Sequence, residues 1–363
     1  GRQVTNDKVY TSDDRGHTWH HQADVPITRQ RVFRAGKAVY MLGGRKRLLV
    51  SRSTDEGATW SEPTPLTDDG PWGGEPINQL YTNGRVYIVN ERQTVADWRG
   101  WPAAVYAPVV MSAPVDADLT KCDAWTFSNV LSFRDVRAKY GDPNLIGVPF
   151  YAEGFYAPNN KADKRPMYEI GWTEPNLVQI IDPEHIWFDP AGRTFHLLLR
   201  AHTGSTNLAC LAKVVESPDQ SELTVDLQKA PSGEPLLYLP FPGGQMRFYI
   251  LYDEPTKLYW MISTQTTDSM KRVELLHPKR WNLPNNERHR LALYFSKNCV
   301  DWCFAAPLVD AGDVGQSRHN VAAAIDGDDL LFTSRSAGPE AANAHNANMI
   351  TFHTVSDFRE LVY

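Results

Sequence analysis

The sequence predicts an all-β fold: a six-bladed β-propeller whose first blade is incomplete, with a five-bladed propeller as the alternative. Three observations predict it. The pattern Ser-x-Asp-x-Gly-x-Thr-Trp occurs at Ser12–Trp19 and again at Ser53–Trp60, 41 residues later, a period that suits one four-stranded blade. Short alternating apolar runs punctuated by Gly, Pro and Asp fill the intervals. Helical periodicity over a dozen residues is hard to find anywhere.

The repeated octapeptide reads as a hairpin turn. Its Asp can accept backbone N–H groups across the turn, its Gly supplies a positive φ, and its Trp plugs the sheet edge. Ser296-Lys297-Asn298 with Trp302 is a decayed copy, and Ser217-Pro218-Asp219 and the stretch around Asp357 are weaker remnants. Inner and second strands are expected at residues 31–35 with 38–42, 77–81 with 85–90, 185–188 with 194–199, 247–252 with 259–264, and 321–325 with 330–334. Third strands are expected at 48–51, 105–112, 208–214, 291–295 and 348–353. Residues 8–24 read as the outer hairpin of a further blade. The whole chain, 1–363, reads as one propeller domain, and residues 132–173 as a long inter-blade loop over the central face, rich in aromatics and ordered as a flap.

Composition bounds the function classes. The chain is 42% hydrophobic, 11% aromatic and 22% charged, an ordinary balance for a globular protein with a large core. Its 37 basic residues against 43 acidic ones give a net charge of −6, without the basic excess that phosphate-backbone binding needs, so nucleic acid is not expected as a partner. No run approaches 18 apolar residues, so no membrane-spanning helix is expected. The four cysteines match no zinc spacing, and Cys299 and Cys303 either bridge one hairpin turn or stay as thiols. No cofactor and no metal is expected, because no dense cluster of carboxylates announces a calcium site. A secreted or periplasmic location, with a leader removed, is expected, and a cytosolic one is the alternative.

The octapeptide is similar to the Asp-box of sialidases and related β-propeller glycoside hydrolases. The stretch Asp326–Arg335, with Asn343–Asn348 and Thr351–His353, resembles bacterial sialidase-like proteins. The resemblance implies a Glu and an Arg of a carboxylate-binding triad at Glu184 and Arg200, and a further Arg at Arg288, with Arg290 as fallback. Two family features are absent: an Arg-Ile-Pro motif, and a Tyr where this chain reads Ser317-Arg318-His319-Asn320.

Propeller geometry supplies candidates independently. The repeated turns mark one face, so inner-strand starts and second-to-third loops fall on the other. Those places carry Arg29, Arg31, Glu75, Glu91, Arg92, Glu184, Arg200, His202, Gln245, Arg247, Arg288, Arg318, His319, Arg335 and His345. Converging arginines repel unless an anion or internal carboxylates neutralise them, and guanidinium forks suit a sugar carboxylate. Glu184, Glu75 and His319 are the expected catalytic groups. Arg200, Arg288, Arg31, Arg247, Arg318, Glu91, His202 and His345 are the expected binding groups, and Tyr151, Tyr156, Trp72, Trp98 and Trp101 could stack on sugar rings. The function expected is an exo-acting glycoside hydrolase on an acidic glycan or sugar acid. A uronate-specific lyase and a non-catalytic carbohydrate- or protein-binding propeller are the alternatives.

Overall fold

Strand-forming sequence dominates the chain, and the computed structural model resolves it into five blades around one axis. The structure describes residues 8–141, 161–162, 165–166 and 168–363. In chain order, a hairpin of β1 (Lys8–Thr11) and β2 (His20–Asp24) precedes the first blade. That blade is β3 (Arg31–Ala35), β4 (Ala38–Gly43), β5 (Leu49–Ser53) and β6 (Thr64–Pro65). The second holds β7 (Trp72–Gly73), β8 (Gln79–Thr82), β9 (Arg85–Gln93), β10 (Tyr106–Pro114) and β11 (Thr126–Phe127), with β7 and β8 both pairing β9. Helix α1 (Phe133–Tyr140) and the short pair β12 (Lys161–Ala162) and β13 (Arg165–Pro166) follow.

The third blade is β14 (Gly171–Val178), β15 (Thr194–His202), β16 (Leu208–Glu216) and β17 (Leu223–Asp226). A small hairpin, β18 (Gln228–Lys229) with β19 (Pro235–Leu236), leads to β20 (Tyr238–Pro240), which pairs β16. The fourth is β21 (Tyr249–Asp253), β22 (Leu258–Thr264), β23 (Arg290–Ser296) and β24 (Cys303–Asp310). The fifth has three strands, β25 (Ser317–Asp326), β26 (Asp329–Ala337) and β27 (Met349–Val355). All pairings between these strands are antiparallel.

Each sheet is apolar on both faces, and consecutive blades bury those faces against each other. Val86 and Ile88 of the second blade meet Phe33, Tyr40 and Leu42 of the first. Tyr87 and Val89 meet Trp172, Leu177 and Phe195 of the third, with Phe133 and Val136 of α1 in the same layer. Further layers join the third blade to the fourth and the fourth to the fifth. The antiparallel up-and-down order keeps every connection local, so inner-strand starts collect at one end of the axis.

The six-bladed expectation is corrected here: the five-bladed alternative is the fold. Residues 8–24 are not the remains of a further blade. Their hairpin pairs only with itself and fits between the first and last blades, where the fifth blade lacks a fourth strand. Trp19 packs edge-on against Phe352 at 5.6 Å, and Arg15 reaches Asp326 at 2.9 Å and Asp329 at 2.8 Å. Val9 and Ala23 pack on Val25, Ile27 and Met41. The hairpin sequence reads the same whether it ends its own blade or caps another.

The two octapeptide turns have matching hydrogen bonds. The Asp14 carboxylate accepts Thr18 N (2.8 Å) and Thr18 Oγ1 (2.6 Å), and Trp19 Nε1 donates to Gly16 O. The Asp55 carboxylate does the same with Thr59 N (2.9 Å) and Thr59 Oγ1 (2.5 Å), and Trp60 Nε1 donates to Gly57 O. These bonds pull the Asp55 carboxyl down to about 2. All four cysteines are free thiols, so Cys299 and Cys303 form no bridge. No helix of the described residues is long and apolar enough to cross a membrane.

A second correction concerns the third blade. Its inner strand is Gly171–Val178, not residues 185–188, which form turns between β14 and β15. Pro175 and a register shift between Thr173 and Asn176 break the alternation that marks a strand, whereas His185–Phe188 imitates it.

Candidate active site

Three inner strands enter the axial region through strained backbone. Arg29 (φ 53°) precedes β3, Glu174 (φ 57°) lies in β14, and Asn320 (φ 52°) lies in β25. Glu174 and Asn320 each coincide with a register shift. A non-glycine residue in the left-handed region costs on the order of 1–3 kcal/mol, and such positions cluster where function needs a side chain aimed off the sheet's natural direction.

Glu174 is aimed at two partners. Arg200, at the end of β15, donates to its Oε2 at 3.2 Å, and its own backbone N–H donates to Glu91 Oε1 at 3.0 Å. Glu91, near the end of β9, accepts Thr173 Oγ1 at 3.0 Å through its other oxygen and is only 1% exposed. Burial, and then the neighbouring Glu174 carboxylate, push the Glu91 carboxyl up to about 8. Gly73 and Gly74 make this burial possible. A side chain at Gly73 would overlap the Tyr106 ring, and one at Gly74 would overlap the Glu91 carboxylate. Gly74 also has a φ of 66°, and the Tyr106 hydroxyl bonds Gly74 and Arg29.

Glu75, the next residue, stands in the opposite electrostatic state. Its side chain is 44% exposed and ion-paired with Arg247, at the approach to β21. Burial of the carboxyl pushes its pKa up, but Arg247, Arg29 and Arg335 together outweigh that and hold it below the usual carboxylate range. Two carboxyls of one blade are thus biased apart, one toward the acid and one toward the anion.

Cations and imidazoles form the far wall. Arg288, just before β23, donates to Asn286 Oδ1 at 3.0 Å and lies 3.2 Å from His319 Nδ1. Arg335 donates to His345 O at 2.7 Å, and Trp281 stacks on the His345 ring at 5.0 Å. Burial, and then Arg288, lower the His319 imidazole well below its ordinary value and His345 to about 4. Burial and Arg200 lower His202 to about 3. Both Arg200 (4.8 Å) and His202 (4.5 Å) pack against Trp101.

The centre of the ring is filled. Arg31 Nε donates to Gln79 Oε1 at 2.9 Å, and its Nη2 donates to the Tyr249 hydroxyl, linking the first, second and fourth blades. Asn78 and Asn176 bond backbone groups of β14 and β21 or their neighbours. These bonds tie the inner strands together at the centre of the ring.

Of the residues expected from sequence, Glu75, Glu91, Arg200, Arg247, Arg288, His319, His202 and His345 belong to this cluster. Arg31 lies in the filled centre. Arg318 does not join: its guanidinium turns to Ser317 O and Ala337 O. Glu184 is corrected outright. It is an exposed residue of the β14–β15 connection, on the end of the propeller that carries strand-one-to-strand-two turns, and Arg200 pairs with Glu174 in its place. Tyr151 and Tyr156 lie outside the described residues. Glu174 and Tyr106 were not anticipated. The Trp172-Thr173-Glu174-Pro175 run was the available signal, a polar interruption of a strand beginning at Gly171. Among the described residues no cluster of His, Cys, Asp and Glu could hold a metal ion.

No model of a known protein family matches the sequence, and no curated protein does either. Among solved structures, the fold is similar to that of a protein of unknown function from Dyadobacter fermentans DSM 18053. The two are 11% identical over 98% of this chain and 86% of that one, with a TM-score of 0.53. Fainter likenesses reach the Penicillium chrysogenum α-L-arabinanase complexed with arabinobiose (12% identity, 98% and 86% coverage, TM-score 0.46). They also reach an exo-1,5-α-L-arabinanase from a bovine ruminal metagenomic library (10%, 90% and 92%, TM-score 0.43). At these identities the likeness speaks to the fold. The sialidase resemblance is overturned: the blade count is five and Glu184 sits at the wrong end.

Proposed function

We propose that the chain is a glycoside hydrolase releasing an acidic sugar from a glycan end. The observation that carries this reading is the trio Glu75, Glu91 and Glu174 at one end of the axis, with Glu91 biased toward its acid form and Glu75 toward its anion. Glycosidic cleavage needs that division, a proton donor for the leaving oxygen and a base or nucleophile at the anomeric carbon. Glu91 is too buried to meet a glycan, so Glu174, whose backbone N–H donates to Glu91 and whose side chain is 17% exposed, is the acid that meets the leaving oxygen. Glu75 is the base or nucleophile, and Arg247 holds it in place. A ring centre filled by Arg31, Asn78 and Asn176 favours a chain end over a threaded glycan. Arginines in excess of ionised carboxylates favour an acidic sugar.

The test is turnover of a panel of uronic-acid, arabino- and galacto-oligosaccharides and of aryl glycosides. Glu174→Gln and Glu75→Gln should each lose ~10²-fold or more in kcat, since general acid–base groups contribute that much. Full activity in either variant would remove that residue from the chemistry. A uronate lyase is the second reading, favoured by His319, which is held neutral beside Arg288. Its products carry an unsaturated uronate with ultraviolet absorbance, and a hydrolase's do not.

A further inference from the structure

Every blade but the fifth ends on an outer strand that resists further pairing. β6 and β11 are two residues long, β17 is four, and β24 carries Pro307 and two register shifts. Short edge strands, proline and bulges are the devices that keep a sheet edge from recruiting another strand. β27, the edge of the three-stranded fifth blade, has none of them. Met349–Val355 runs seven residues, pairs β26 without a register shift, and contains no Pro, Lys, Arg, Asp or Glu. Among the described residues no strand or bridge pairs its other side. The β1–β2 hairpin lies on one of its faces, with Trp19 against Phe352, and leaves that edge unpaired. Large apolar side chains stand open beside it: Ile350 is 78% exposed, Trp19 45% and Met349 40%.

We infer that β27 is a self-association edge that takes a second copy of this chain, the two β27 strands pairing antiparallel about a two-fold axis at Phe352. The inference is independent of the glycan-processing reading. Charge and register both select this occupant. Arg335 pairs across from Ile350, and Arg318 stands in the row of Met349 through Ser336. Asp326, Asp328, Asp329 and Asp357 gather at the strand's other end, where Arg15 and Arg359 offset part of their charge. An antiparallel copy sets the basic end of one strand against the acidic end of the other, whereas a parallel copy sets like on like. Centred on Phe352, the register faces Thr351 with His353, Ile350 with Thr354 and Met349 with Val355, and opposes no charged pair. Main-chain bonds between two uncovered edges supply the affinity. The same patch is used on both copies, so the assembly closes at two.

Sedimentation equilibrium of the whole chain over a concentration series tests this. The wild type should reach twice the mass of one chain, and hydrogen exchange at the Met349–Val355 amides should slow as the dimer fills. Ile350→Lys puts a charge on the edge at an exposed position, and should return the mass to that of one chain with the thermal midpoint unchanged. Adding Thr354→Glu to that variant sets the new carboxylate opposite the other copy's new ammonium, and should restore the dimer. A wild type that stays at one chain's mass throughout overturns the inference. Slow exchange of these amides in a monomer overturns it too, since the chain then covers the edge itself. An Ile350→Lys dimer as tight as the wild type places the interface elsewhere and removes β27 from it. Failure of the double variant to regain the wild-type mass contradicts the antiparallel register.

Discussion

Replacing Glu91 by Gln should flatten the protein's stability against pH. In the folded chain the Glu91 carboxyl titrates near 8, against 4.5 for an ordinary glutamate. Below pH 4.5 it is protonated in both folded and unfolded chains, and the stabilisation is fully present. Between 4.5 and 8 the folded protein binds the proton and the unfolded chain does not, so stability falls as pH rises; above 8 the loss is complete. At about 1.4 kcal/mol per unit, that interval corresponds to roughly 5 kcal/mol as an upper bound. Gln keeps the volume and can still accept Glu174 N–H, while its amide donates to Thr173 Oγ1, so the bonds at 3.0 Å have replacements. Urea denaturation from pH 5 to 9 measures the effect. The wild type should lose stability with rising pH, and the variant should lose distinctly less and be the more stable of the two at pH 9. Parallel curves would refute the claim that Glu91 is held as a buried acid.

Gly74→Ala should lower both stability and turnover: the methyl group meets the Glu91 carboxylate at a φ of 66°, so either the cradle opens or the carboxylate moves, at a cost of ~1 kcal/mol or more on thermal denaturation. Glu184→Gln should leave turnover and stability within error, because the residue is exposed and at the other end of the propeller from Glu75, Glu91 and Glu174; a large loss of rate would reinstate it. Ser132→Ala should cost about 1 kcal/mol in chemical denaturation, because Ser132 and Asp135 form a reciprocal cap on α1 with bonds of 2.7 to 3.2 Å.

Legibility in the sequence followed regularity. The repeated octapeptide forms the β1–β2 and β5–β6 turns, and the apolar runs at 38–42, 85–90 and 208–214 lie on β4, β9 and β16, because a strand buried between two blades must be apolar on both faces. From strand order followed the end of the axis where Glu75, Arg200, Arg247, Arg288 and His319 meet. What departs from regularity was hidden. Glu174 gains its position from a left-handed residue at a register shift before Pro175, and such local exceptions erase the pattern by which a strand is recognised. Glu184 was attractive because an apolar run follows it and Arg200 stands sixteen residues on. Spacing along a chain does not say which end of a strand a turn occupies. The blade count failed for a related reason, since the β1–β2 hairpin carries the signature of a blade's outer edge wherever it docks.

The pH dependence of kcat/KM on whichever substrate of the panel is cleaved tests the central claim, a proton held by the buried Glu91 opposite an ionised Glu75. The account predicts a bell: activity rises through an acidic limb below the usual carboxylate range as Glu75 ionises, and falls on an alkaline limb near 8 as Glu91 loses its proton. Glu91→Gln should move the alkaline limb and leave the acidic one in place. A profile with no alkaline limb, or one whose alkaline limb is the same in wild type and Glu91→Gln, would contradict it.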